Sequence, residues 1–164
     1  MSLSMYQASI PPLLRGLTIL SAVLKKGEAH SSALVDARLA PDMLTLVGQV
    51  QRASDTSKGC GARLAGIEAP SMADTEKTFD DLYARIAKTA DFLESIKREQ
   101  IDGTEAKTVT IKTRDLTIDL TGQAYLFNFA LPNFYFHVTT AYDILRHSGV
   151  PLSKADYLGS WKTA

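Results

Sequence analysis

The chain has one cysteine and no surplus of either charge, and each shortage excludes something. A lone Cys60 cannot build an internal disulfide framework, which fits a reducing cytoplasm. Eighteen Lys plus Arg balance eighteen Asp plus Glu, and the basic residues are scattered from Arg15 to Lys162. That distribution gives neither nucleic acid nor an anionic membrane a basic surface to bind. Residues 1–6 carry no charged n-region ahead of an apolar stretch, and no uninterrupted apolar run approaches the roughly 18 residues of a membrane span. The expectation is a cytoplasmic protein with no membrane segment. Also missing are a Gly-rich phosphate loop, a Gly-x-Ser-x-Gly elbow, a Cys-x-x-Cys pair and a His-Glu-x-x-His helix. Without them a conventional enzyme is the less favoured expectation.

What remains is a globular composition, 45% hydrophobic and 22% charged over 164 residues. One domain over residues 1–164 accounts for that length, and its core is large enough to hold without disulfides or structural metal.

The apolar spacing then predicts helices. Tyr6, Ile10, Leu13, Leu17, Leu20 and Leu24 recur at steps of three and four, so a first helix ends near Gly27. Pro11 and Pro12 leave its start open: either Ser9 caps a helix beginning there, or a longer helix kinks there. Pro41 and Asp42 suit the first turn of a second helix carrying Met43, Leu46, Val47, Val50, Ser54, Ser57 and Leu64, with Gly59 and Gly61 weakening its end. Ser71 to Asp74 resembles a capping box for a third helix bearing Phe79, Leu82, Ile86, Thr89, Leu93 and Ile96. The period then drops to two. Val109 and Ile111, followed by Leu116, Ile118 and Leu120 across the turn Thr113-Arg114-Asp115, predict a β-hairpin. Thr121 caps a fourth helix that stops near Ser148-Gly149-Val150-Pro151, and residues 152–164 read as a coil tail. Four such helices close round one core as an all-α four-helix bundle with a small hairpin before helix four.

Polarity intrudes on the apolar face of the fourth helix. Asn133 and His137 are four apart and share one side, and Pro132 withholds an N–H from the Asn128 carbonyl, which predicts a kink beside them. Across the core, Gln49 or Asp55 of the second helix can meet His137. Tyr142 and Arg146, again four apart, can hold an anion or pair with Asp55 or Asp143; Arg146 also suits the negative end of a helix. Two readings of His137 stand: a ligand or metal residue, or a buried histidine held by hydrogen bonds for packing alone. Cys60 reads as a small buried hydrophobe, and His30 and His147 as solvated.

Three stretches carry a family resemblance. Ala40-Pro41-Asp42-Met43 through Gln49-Val50-Gln51 to Ala53-Ser54-Asp55, Leu131-Pro132-Asn133-Phe134-Tyr135-Phe136-His137-Val138-Thr139-Thr140-Ala141-Tyr142, and Leu145-Arg146-His147 with Gly149-Val150-Pro151 resemble the bacterial domain-of-unknown-function family nineteen-ninety-three. That family is grouped with the DinB/YfiT-like metalloenzymes. The resemblance implies an up, down, down, up bundle, a homodimer, and zinc or nickel held by three histidines for metal-dependent hydrolysis or thiol transfer. One histidine would sit on helix two and two, spaced His-x-x-x-His, on helix four. Here those positions fall on Gln49, Asn133 and His137, so only His137 carries over as a metal ligand. One imidazole with two neutral amides is a poor set for such metals. Two functions follow. The chain handles a small molecule at a site of Gln49, Asp55, Asn133, His137 and Tyr142, with or without a degenerate metal centre. Alternatively it is a non-catalytic dimeric binding or scaffold protein whose polar cluster is structural.

Overall fold

The computed structural model describes residues 3–112 and 116–160. The first helix, α1 (Met5–His30), starts earlier than Ser9 and ends later than Gly27. Ser4 caps it in a capping box with Gln7, while the Ser9 hydroxyl donates back to the Met5 carbonyl at 2.7 Å. Pro11 and Pro12 therefore lie inside the longer helix. Among the described residues α1 is also, by length and composition, apolar enough to cross a membrane, against the expectation that no stretch comes close. Yet 56% of its most apolar window is buried inside the bundle, so core packing accounts for that apolarity.

Helix α2 (Leu46–Ala65) begins after Pro41, because Thr45 rather than an earlier residue takes the cap, its Oγ1 accepting from the Gly48 N–H at 3.2 Å. Gly59 and Gly61 are absorbed without breaking it. A Cβ at Gly61 would lie 2.7 Å from Ile96 Cδ1 and 2.8 Å from Leu93 Cδ2, so glycine is what lets the third helix approach. That helix, α3 (Phe79–Ser95), is capped by Thr78 with Asp81, not by Ser71 with Asp74. Both corrections have one cause: several Ser, Thr and Asp residues precede each helix, and packing chooses among them.

A short α4 (Arg98–Ile101) leads to the hairpin of β1 (Thr108–Lys112) and β2 (Thr117–Thr121), paired antiparallel with Val109 opposite Leu120 and Ile111 opposite Ile118. Its expected turn at 113–115 lies outside the described residues, and Leu116 stands before the strand. The expected fourth helix is three pieces: α5 (Gly122–Tyr125), a π turn over Leu126–Ala130, and α6 (Leu131–His147). The Leu131 N–H reaches the Leu126 carbonyl, and this wider turn falls immediately before Pro132, the residue that cannot donate. The tail is not all coil, since α7 (Lys154–Leu158) folds back on α1 through Lys26 and Asp156 at 2.6 Å.

Side-chain pairs fix the helix directions. Gln51 meets Glu76 and Ser54 meets Thr89, while Gly61 meets Leu93 and Ile96, so α3 runs parallel to α2. Thr56 meets Asn133 and Gln49 meets His137, so α6 runs antiparallel to α2. Gly16 packs on Phe134 and Gly27 on Leu145, so α6 runs parallel to α1. The order is up, down, down, up, as the resemblance implied. Tyr125, Phe134 and the leucines of all four long helices fill the centre.

Candidate functional site

The face that α2 turns to α6 carries Gln49, Arg52 and Thr56, at spacings of three and four. Antiparallel to it, α6 brings His137 to Gln49 and, one turn away, Asn133 to Thr56. The Gln49 side chain is 1% exposed, and its Nε2 donates to the Leu44 carbonyl at 3.4 Å. That leaves its Oε1 facing His137 Nδ1 at 2.7 Å. An amide oxygen only accepts, so Nδ1 carries the proton and Nε2 keeps its lone pair. Burial, and after it the Arg52 guanidinium, hold the His137 pKa below the usual histidine value. At neutral pH the ring is an uncharged, oriented acceptor, half-buried at the edge of the bundle. The Phe136 ring stands edge-on to it with centroids 5.2 Å apart and is itself 54% exposed.

Asn133 completes the row by donating its Nδ2 to Thr56 Oγ1 at 3.1 Å. Of the residues singled out in the sequence, the structure thus brings together Gln49 and His137, with Asn133 on the same seam. Asp55 and Tyr142 are placed elsewhere. Tyr142 packs its ring on Tyr157 of α7 at 5.9 Å, and Arg146 is exposed in the last turn of α6. Asp55 points to α3.

There it joins a cluster that the sequence reading missed. Arg85, its side chain 1% exposed, holds Asp55 at 2.9 Å, Asp74 at 3.0 Å and Glu76 at 2.9 Å, and also donates to the Ala73 carbonyl at 3.2 Å. Asp74 and Glu76 belong to the segment 67–78, which straps across from α2 to α3. Gln51 donates to Glu76 at 2.8 Å, and Arg52 reaches Asp74 at 2.5 Å and Asp55 at 3.2 Å. Burial works to raise the Glu76 carboxyl, but the hydrogen bonds from Gln51 and Arg85 outweigh it and hold the pKa below the usual range. A signal for this cluster was present: Arg85 stands three residues after Leu82 and four before Thr89, on the apolar stripe itself.

Other candidates are placed as expected. Cys60 is fully buried and burial pushes its thiol up to about 12, so it offers no thiolate. His30 and His147 are exposed.

A small bundle in up, down, down, up order, with a hairpin ahead of its last long helix and a polar seam between the second and last, defines a DinB-like protein. A crystal structure of a DinB family member protein from Shewanella denitrificans is 37% identical, superposes with a TM-score of 0.88, and covers 97% of this chain and 94% of that one. Residues 5–158 match the domain of unknown function DUF1993, and the chain belongs to that family. No curated protein matches the sequence.

The seam does not fit the metal centre that the superfamily resemblance implies. Among the described residues no three of His, Cys, Asp and Glu gather where they could hold an ion. Both polar atoms of the Gln49 amide are taken up by His137 and the Leu44 carbonyl, and Asn133 gives its Nδ2 to Thr56, so the amides do not converge with His137 on a common point.

Proposed function

We propose that the chain binds a small molecule at the α2–α6 seam, using His137 as an oriented neutral acceptor and no tightly held metal. The observation that carries this reading is the Gln49–His137 hydrogen bond, because it fixes the ring while leaving Nε2 unspent. The free nitrogen belongs to a half-buried ring, where a donor on a ligand can take the place of water. Asn133 and Thr56 continue the polar row by one turn, and the exposed Phe136 ring lies beside His137. The buried, unpaired Cys60 supports a reducing cytoplasm as the place of action.

The test follows the His137 ring by nitrogen-detected NMR during a fragment screen, with elemental mass spectrometry on the untagged protein beside it. Fragments that shift the His137 and Asn133 side chains without added metal support the reading. Stoichiometric zinc or nickel that disappears in His137→Ala would overturn its metal-free form. Ring resonances indifferent to every fragment would sink the binding site itself.

A second reading is favoured by a separate observation. Phe127, Phe129 and Phe136 expose 45%, 38% and 54% of their surface on the π turn and α6, which suits burial against a second copy of the chain. Sedimentation equilibrium distinguishes a dimer from a monomer. A monomer at all concentrations would leave those rings to the ligand.

A further inference from the structure

The seam holds one formal charge that the binding reading leaves without a task. Arg52 lies between Gln49 and Thr56 on the α2 face that meets α6, and its side chain is 42% exposed. Its guanidinium is occupied by two carboxylates, Asp74 at 2.5 Å and Asp55 at 3.2 Å. Neither depends on it. Asp55 also pairs with Lys58 at 2.9 Å and Arg85 at 2.9 Å, and Asp74 also pairs with Arg85 at 3.0 Å. Withdrawing Arg52 therefore leaves both carboxylates with a cation, whereas withdrawing Arg85 would strand a buried charge. Exposed ion pairs of the Arg52 kind contribute little to stability, so they exchange readily for an equivalent partner.

We infer that Arg52 is the anion-selecting residue of the seam, and that Asp74 of the strap is an internal carboxylate which holds its place until a small carboxylate-bearing molecule displaces it. The inference rests on the seam being a binding site. Three features define the ligand class. The guanidinium fork can match a carboxylate through two parallel hydrogen bonds, whereas Asp74 and Asp55 both engage it through Nη2 alone. The Phe136 ring next to His137 favours an aromatic or apolar body. His137 Nε2 takes a donor from the ligand or from water rather than a second negative charge. Displacement of Asp74 also loosens the strap from α2 while Glu76 keeps it on Gln51 and Arg85, so binding is coupled to a local rearrangement and not to unfolding.

Benzoate and benzamide are matched probes, alike in shape and different in charge, and inorganic phosphate is the third. In the intact protein benzoate should shift the His137 ring resonances about tenfold more tightly than benzamide, a difference that a charge-assisted contact supplies. Arg52→Gln should erase that preference, and Arg52→Lys, which keeps the charge but not the fork, should retain part of it. Asp74→Asn should tighten benzoate binding several-fold. Glu76→Gln, which weakens the hold of Arg85 on the strap without touching Arg52, should leave it unchanged. Equal binding of benzoate and benzamide that survives Arg52→Gln would overturn the role of Arg52 and leave the seam standing as a site. Indifference of His137 to all three probes in every variant would remove the seam reading, and this inference with it. Phosphate binding in place of benzoate would overturn the carboxylate assignment.

Discussion

Helix α2 meets a polar row on each of two neighbours, and the rows are built on opposite plans. Against α3 the row is charged: Arg85 is sealed from solvent and shared by Asp55, Asp74 and Glu76. Against α6 it is uncharged, with Gln49 and His137, then Thr56 and Asn133, joined by single hydrogen bonds at a half-open edge. A buried guanidinium is tolerated only with partners, and Arg85 engages both Nη nitrogens with three carboxylates, while its buried Nε has no partner among the described residues. The α6 row is under no such compulsion and keeps a nitrogen lone pair free. The charged row holds the strap in place, and the uncharged row leaves one acceptor open for the ligand proposed above. Arg52 stands between them, holding Asp74 and Asp55 while its charge is felt at His137.

The largest expected effect breaks the charged row. Arg85→Met leaves Glu76, whose side chain is 10% exposed, without a cation, while Asp55 and Asp74 keep Arg52. Denaturant unfolding should show a loss of about 3–5 kcal/mol, the usual cost of breaking a buried pair from one side. Adding Glu76→Gln should recover part of that loss. A single variant within about 1 kcal/mol of the parent would mean that the strap is not held as described.

Less is expected on the open row. Gln49→Ala strands the Leu44 carbonyl and frees His137 Nδ1, at a cost of about 1–3 kcal/mol for the unsatisfied groups. Its sharper signature is in the ring, because without Gln49 nothing selects the Nδ1–H tautomer and nitrogen NMR should report a mixture. A ring that keeps one tautomer in Gln49→Ala would show that another group orients it. The reverse experiment is Gln49→His combined with Asn133→His. It puts imidazoles at all three positions of the superfamily pattern, and zinc should bind the double variant and not the parent.

Much of the fold was legible because it depends on spacing. The apolar ladders of α1, α2, α3 and α6 and the period-two hairpin all lie where their residues recur. Helix ends were less legible, since Pro41 and Ser71 each look like good starts and Thr45 and Thr78 take the caps. A cap signal is worth about 1 kcal/mol, too little to outvote packing when several stand close together. The π turn before Pro132 was legible as a disturbance but not in form. At the site, Asn133 and His137 were read from one helix and Gln49 from its place beside the apolar stripe. For Asp55 the sequence offers His137 or Arg146 as partners, and the structure pairs it with Arg85, a cation that sits on the α3 stripe between Leu82 and Thr89.

The smallest expected effect is also the most direct measure of how the seam treats charge. The folded pKa of His137 lies below the unfolded value of about 6.5, first because the ring is buried and then because Arg52 stands near it. The unfolded chain therefore binds the proton first as the medium is acidified. The stability this residue contributes is complete above about pH 6.5 and is lost as the pH falls through the lower folded value. Exposed His30 and His147 are common to parent and variant, so their difference isolates His137. Between pH 7.5 and pH 5 the parent should lose more stability than His137→Gln, while the Gln49 bond, made by a proton present in both charge states, persists. A parent that gained stability relative to the variant on acidification would mean that the seam welcomes an imidazolium. Arg52 would then face a second cation, and a site selecting carboxylates would hold two positive anchors instead of one anchor and one neutral acceptor.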